Sequence, residues 1–136
     1  MCGWWSTFHS PHGSADIIAC GTGWLHTRSD PDNINPYTMT GNSLSVIANR
    51  ISFLYNLSGP SMTVDTACSS ASTAFHLACQ ALRAGECEAA AVIGVGALLH
   101  VSPFVGFSQA RMISPTGTSR PFDARANGFV RGEGCG

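Results

Sequence analysis

Residues 61–95 constrain the fold more than any other part of this chain. Ser61–Asp65 (SMTVD) sets apolar Met62 and Val64 between polar neighbours, which is the period of a strand. A run of small residues, Thr66-Ala67-Cys68-Ser69-Ser70, follows it. A helix rich in Ala and Leu is then predicted from about Ser69 to Arg83, with Ala71, Ala74, Phe75, Ala78 and Leu82 as its apolar face. Gly85 stops it, because the left-handed residue that ends a helix is most cheaply a glycine. Glu88–Val95 (EAAAVIGV) is apolar after its first residue, the composition of a strand covered on both faces. Strand, helix and strand in this order read as a parallel βαβ unit. The predicted class is therefore α/β, or α+β of layered type.

The flanking segments are less regular. Gly41 to Leu57 reads as one helix, with Leu44, Ile47, Ile51 and Leu54 on its apolar face. Ala48 and Tyr55 fall at the edge of that face, and Phe53 points away. Asn42 or Ser43 is placed to cap its start, and Ser58-Gly59-Pro60 to end it. Ala15–Cys20 (ADIIAC) has the content of a short strand among turn residues. Pro103 to Gly136 is rich in glycines and turns, and Gly132, Gly134 and Gly136 alternate at its end. Such spacing suits close backbone approach. An ending of this kind reads as a truncated domain.

Charged residues make up only 11% of the 136, against about a quarter in ordinary soluble domains, and there is no lysine. A surface this poor in charge predicts cover from further chain or a partner. The net charge of −1 and seven scattered arginines give no basis for binding nucleic acid. No stretch reaches the roughly 20 apolar residues of a membrane span. The start carries no secretory pattern, so the expected setting is a reducing, cytoplasmic one with free thiols. None of the six cysteines forms a C-x-x-C pair. Cys2, His9, His12 and Cys20 match no common metal-site spacing, so no metal is expected.

Cys68 stands out by position. Thiolate is the reactive form of cysteine, and a helix N-terminus offers partial positive charge and unpaired N–H groups. A sulfur at the strand-to-helix turn lies in that field, and the same N–H groups can hold an oxyanion when a thioester carbonyl is attacked. Ala67, Ser69 and Ser70 leave room for a sharp elbow. Most cysteines simply pack as small hydrophobes, the reading given to Cys20, Cys79, Cys87 and Cys135.

The run Gly59-Pro60-Ser61-Met62-Thr63-Val64-Asp65-Thr66-Ala67-Cys68-Ser69-Ser70-Ala71 resembles the active-site segment of β-ketoacyl synthases, in the wording used by polyketide synthases and animal-type fatty acid synthases. Ala48–Ser52, His76–Glu86, Ser114–Gly117, Arg120–Ala124 and Gly128–Gly134 resemble further family segments in the same order. The likeness covers residues 30–136, and residues 1–29 match poorly. It implies the N-terminal-half portion of a thiolase-like α-β-α-β-α fold and a homodimer. It further implies an acyl chain loaded onto Cys68 from the phosphopantetheine arm of an acyl-carrier protein, then decarboxylative Claisen condensation with a malonyl-type unit, with no cofactor bound directly. By the same resemblance Phe107 borders the acyl pocket; its plainer reading is a core aromatic.

The departures are specific. Asn127 stands where the family often has Asp. The family's two histidine motifs, of the H-G-T-G and G-H types, do not occur in these residues. His76 lies eight residues beyond Cys68, about 12 Å along a helix axis and out of hydrogen-bond reach. His100 reads as a loop residue. The rival to a condensing enzyme is a non-condensing ketosynthase-like module that docks carrier proteins and supports dimerisation. A thiolase or stand-alone initiating synthase fits the D-T-A-C-S-S wording less well.

Overall fold

The computed structural model describes residues 34–136 and the strand backbone of residues 15–21. The metal set drawn from Cys2, His9, His12 and Cys20, and also His26, falls outside the described side chains. The described elements are β1 (Ala15–Gly21), α1 (Thr38–Asn42), α2 (Leu44–Leu54), β2 (Ser61–Val64), α3 (Ser70–Ala84), β3 (Ala89–Gly96), α4 (Ser102–Gln109) and β4 (Gly134–Cys135).

The four strands form one sheet in the order β2-β1-β3-β4. β1 runs parallel to both β2 and β3, while β4 is antiparallel to β3. The β2–α3–β3 segment is thus a crossover between parallel strands that are not neighbours. β1 lies between them, with Ile17 opposite Ser61 on one side and Ala91 on the other. The predicted βαβ unit is present but split, because a third strand from earlier in the chain takes the central place.

Alternation along the strands assigns the two faces. Val64, Ala90 and Val92 pack against Ala74 and Ala78 of α3. Ala91 packs on the other side against Ala48, Ile47 and Ile51 of α2. β3 is therefore covered on both faces, as its unbroken apolar composition predicts. β2 is bound to α2 through polar groups: Thr63 Oγ1 donates to the Leu44 carbonyl (2.7 Å) and Ser52 Oγ to Ser61 Oγ (2.6 Å).

Three helix expectations need correction. The predicted helix 41–57 is two helices broken at Ser43, whose extended backbone makes it the N-cap of α2 without a side-chain capping bond. Its hydroxyl bonds Ser45 instead, and Asn42 donates to the Thr38 carbonyl. α2 stops at Leu54, with Asn56 in the left-handed region (φ 51°). The buried centre of its face is Ala48 rather than the leucines, which are exposed; Phe53 does point away. On α3 the sheet-facing line is Ala74, Ala78 and Ala81, while Ala71, Phe75 and Leu82 are exposed. The buried stripe shares Ala74 and Ala78 with the predicted one, but its centre lies about 50° around the helix from it. α3 ends as expected at Gly85 (φ 72°).

α4 lies in the turn-rich tail, where the sequence predicts no helix. It forms despite Gly106 because Phe104 and Phe107, three residues apart, present one face to Arg131, whose guanidinium lies 5.4 Å and 4.8 Å from the two ring centres. Farther along, Gly128 (φ 136°) lets the chain pass against residues 112–114: a Cβ there would stand 2.6 Å from Ser114 N. Two backbone bonds seal the crossing, Ser114 N–H to the Phe129 carbonyl and Phe129 N–H to the Met112 carbonyl, both 2.9 Å.

Candidate active site at the strand-to-helix elbow

The turn between β2 and α3 is held by its own polar side chains. Ser70, 1% exposed, accepts from the Thr66 N–H (2.8 Å) and donates to the Ala67 carbonyl (2.6 Å). Asp65 Oδ1 accepts from the Ala67 N–H (2.9 Å). The Ser69 hydroxyl donates to the Thr66 carbonyl (2.8 Å) and lies 2.9 Å from Thr66 Oγ1, which in turn meets Thr73 Oγ1 at 3.1 Å. Together these bonds keep Ala67 at φ 57°, a conformation that costs an L-residue about 1–3 kcal/mol unless its surroundings enforce it. Every polar side chain from Asp65 to Ser70 other than Cys68 is thus committed to the turn. Cys68 is exposed, a free thiol one residue before the N-cap Ser69 of α3.

Cys68 borders a cavity of about 590 Å³ between α3 and the β3–β4 edge. Ser70, Ala71 and Phe75 line it from the helix, and Val92, Val95, Cys135 and the glycines Gly94, Gly96, Gly134 and Gly136 from the sheet, so the exposed Cys135 borders the same cavity as Cys68. β4 is fixed there by reciprocal backbone bonds between Gly94 and Gly136 (2.7 and 2.9 Å) and by Glu133, whose Oε1 accepts from the Leu98 N–H (2.6 Å). The alternate glycines of the tail permit this approach; their spacing predicts a close contact but does not name the partner strand.

The other candidates separate from this site. Neither His76 nor His100 lines the cavity. His76 is exposed, and His100 Nδ1 accepts from the Ser102 N–H (3.0 Å) at the start of α4. Phe107 is not among the lining residues either; it stands edge-on to Phe129 (5.6 Å, 78°) beneath Arg131. Cys87 is buried and Cys79 half-buried, as expected of packing cysteines, but Cys135 is exposed because β4 is the edge strand. Asn127 Oδ1 accepts from the buried Ser114 hydroxyl (2.8 Å), so the amide fills a structural role there. Among the described residues no three His, Cys, Asp or Glu side chains are grouped to hold a metal, and no helix is long and apolar enough to cross a membrane.

An exposed thiol on a hydrogen-bonded elbow, set between layered α and β elements, fits a thiolase-like fold. The comparisons specify the family: residues 13–136 match the β-ketoacyl synthase N-terminal domain, and the chain belongs to the β-ketoacyl synthase family. The match starts ahead of residue 30, where the motif likeness begins. Relatives include a compactin diketide synthase of Penicillium citrinum (54% identical, over 77% of this chain and 4% of the relative). A phenolphthiocerol/phthiocerol polyketide synthase of Mycobacterium tuberculosis is 50% identical over 79% of this chain and 6% of the relative. Among solved structures, an oxazolomycin ketosynthase domain of Streptomyces albus superposes with a TM-score of 0.77 at 30% identity, covering 90% of this chain and 22% of that one. The ketosynthase from module 6 of the bacillaene synthase of Bacillus subtilis gives 0.73 at 36%, covering 90% and 21%. The chain thus spans a few per cent of the curated relatives it matches and about a fifth of the solved ketosynthase chains.

Proposed function

We propose that this chain is the nucleophile-bearing portion of a longer ketosynthase of polyketide or fatty acid biosynthesis, and that Cys68 is its acyl acceptor. The observation that carries the reading is the elbow: a strained, self-bonded turn holds one exposed thiol at the edge of a cavity. The Cys68 sulfur attacks the acyl thioester on the phosphopantetheine of an acyl-carrier protein, and the carrier thiol leaves with the proton. A malonyl-type unit on a carrier then loses carbon dioxide, and its enolate carbon attacks the acyl–Cys68 thioester. The β-ketoacyl product stays on the carrier and Cys68 is freed. Splitting the reaction through a covalent thioester divides one hard step into two easier ones.

Condensation also needs groups that drive decarboxylation and hold the enolate oxygen. Among the described residues, His76 and His100 lie outside the cavity; we place those groups elsewhere in the longer protein, for which the family resemblance implies a homodimer. The same absence is what a non-condensing module for carrier docking would display. Mass-tagged acyl transfer to the longer protein, with and without Cys68→Ala, tests the nucleophile: loss of all label is expected, and persistent labelling at Cys79 or elsewhere refutes the assignment. Malonyl-carrier decarboxylation by the wild type separates the enzyme from the module.

A further inference from the structure

Arg120, Thr116, Ser114 and Asn127 form a hydrogen-bonded row in which every proton points the same way. Arg120 Nη1 donates to Thr116 Oγ1 (2.8 Å), Thr116 Oγ1 lies 3.1 Å from Ser114 Oγ, and the Ser114 hydroxyl donates to Asn127 Oδ1 (2.8 Å). A hydroxyl carries a single proton, so with the Ser114 proton on Asn127 the middle bond runs from Thr116 to Ser114. The row therefore starts at a guanidinium and ends on the side-chain carbonyl of an amide. Bonds arranged head to tail polarise one another, and Ser114, 4% exposed, is shielded from water. Among the described residues the only ion pair is Arg125–Asp123, so no carboxylate answers Arg120 directly.

Asn127 is also the only asparagine of the chain that a glycine follows. Gly128 has no Cβ to hinder its amide nitrogen, and its N–H donates to no acceptor among the described residues. A nitrogen free to attack thus adjoins a polarised amide carbonyl.

We propose that Asn127–Gly128 is a self-modifying site, at which the folded chain converts Asn127 to aspartate with water as the co-reactant. The Gly128 nitrogen attacks Asn127 Cγ and forms the N–Cγ bond of a succinimide ring. The Cγ–Nδ2 bond breaks, and the side-chain NH2 leaves as ammonia with the Gly128 proton. Negative charge develops on Oδ1 during the attack, where the Ser114 hydroxyl is already placed to receive it. Water then opens the ring. Attack at Cγ breaks the new N–Cγ bond and leaves Asp in a normal chain. Attack at the main-chain carbonyl of residue 127 breaks its bond to the Gly128 nitrogen and leaves isoaspartate, with the chain routed through the side chain. Free succinimides open mainly the second way. Here the row polarises the Cγ carbonyl and directs water to it. The longer isoaspartyl chain also finds no room at the crossing, where even a Cβ on Gly128 would stand 2.6 Å from Ser114 N. The carboxylate formed then accepts the Ser114 proton in a charge-assisted bond, stronger than the bond to the amide.

The test is incubation of the longer synthase at mildly alkaline pH, followed by trypsin. Cleavage after Arg125 and Arg131 releases peptide 126–131, which isolates Asn127. Mass spectrometry against an unincubated sample reads the exchange of NH2 for OH, and chromatography separates the Asp and isoaspartate forms. The synthetic peptide, incubated in parallel, is the reference. Asp is expected as the main product in the folded protein and isoaspartate in the free peptide. Ser114→Ala and Thr116→Val should each slow conversion by about three- to tenfold, the scale of one hydrogen bond. Thr116→Val, at an exposed position, reads the row even where Ser114→Ala fails to fold. Asn127→Asp, which bypasses the reaction, should raise the denaturant midpoint. No conversion in the folded wild type, isoaspartate as its main product, or an undiminished rate in Thr116→Val overturns the proposal. So does a lowered midpoint in Asn127→Asp.

Discussion

Ser70→Ala removes the one buried hydroxyl that joins both sides of the elbow. In the native chain Ser70 Oγ satisfies the Thr66 N–H at 2.8 Å and binds the Ala67 carbonyl at 2.6 Å, in a site 1% exposed. The variant leaves the Thr66 N–H without its acceptor, a loss worth about 1–3 kcal/mol when the group is shielded from water, and gives up the second bond, worth about 0.5–1.5 kcal/mol. The Ala67 carbonyl keeps the Ser70 N–H at 3.1 Å, so the second contribution falls at its low end. The expected destabilisation is about 2–3 kcal/mol. A second effect separates this residue from an ordinary core serine. Ala67 is held at φ 57° by Ser70 and Asp65, and with one restraint gone it can relax toward negative φ and swing Cys68 away from the cavity. Urea denaturation of the longer protein should show the stability loss, and acyl transfer to Cys68 should slow under conditions where the protein remains folded. Ser72→Ala, exposed on the same turn, serves as the control and should stay within about 0.5 kcal/mol. A Ser70→Ala protein with an unchanged midpoint and unchanged acylation would refute the account of the elbow.

Gly128→Ala should cost more than Gly117→Ala by about 2 kcal/mol or more in denaturant unfolding, because its Cβ meets three backbone atoms at 2.6–2.7 Å while that of Gly117 meets nothing; equal losses would contradict the crossing at residues 112–114. Ala74→Leu, at a position with no exposure, should overpack the α3–sheet contact and cost about 1–3 kcal/mol, checked by a thermal melt. Arg125 pairs with Asp123 (2.7 Å) and holds its carboxyl below the usual carboxylate range. The small stability from this exposed pair is therefore present above the ordinary aspartate value and is lost as pH falls through the lowered one, which NMR titration of the carboxyl carbon would follow; an Asp123 that titrates at the ordinary value would contradict the pair. The 136 residues made alone should associate rather than run as a sharp monomer on size exclusion, since the buried apolar residues among those described are four alanines and Cys87 while Phe53, Leu54, Phe75 and Leu99 are more than half exposed; a cooperative monomer would refute this.

Local chemistry makes the elbow legible in the sequence. Small residues around Cys68, alternation before it and a helix closed by Gly85 are short-range signals, and each corresponds to a feature of the structure. The two-sided cover of β3 is equally readable, because a strand with no polar face can only lie between layers. Periodicity locates the helices but fixes their faces less well. Ala71 and Phe75 satisfy an apolar stripe as readily as Ala74 and Ala78, and only the position of the sheet decides which line is buried. α4 is hidden because its glycine and proline mask a face completed by Arg131, far along the chain. Strand order lies beyond local reading altogether. The insertion of β1 between β2 and β3, and the pairing of Gly134–Cys135 with β3, are set by backbone hydrogen bonds between distant segments, which side-chain period does not encode. The elbow and its exposed thiol are thus written in residues 61–85, while the cavity they border exists only where the glycine tail folds back onto β3.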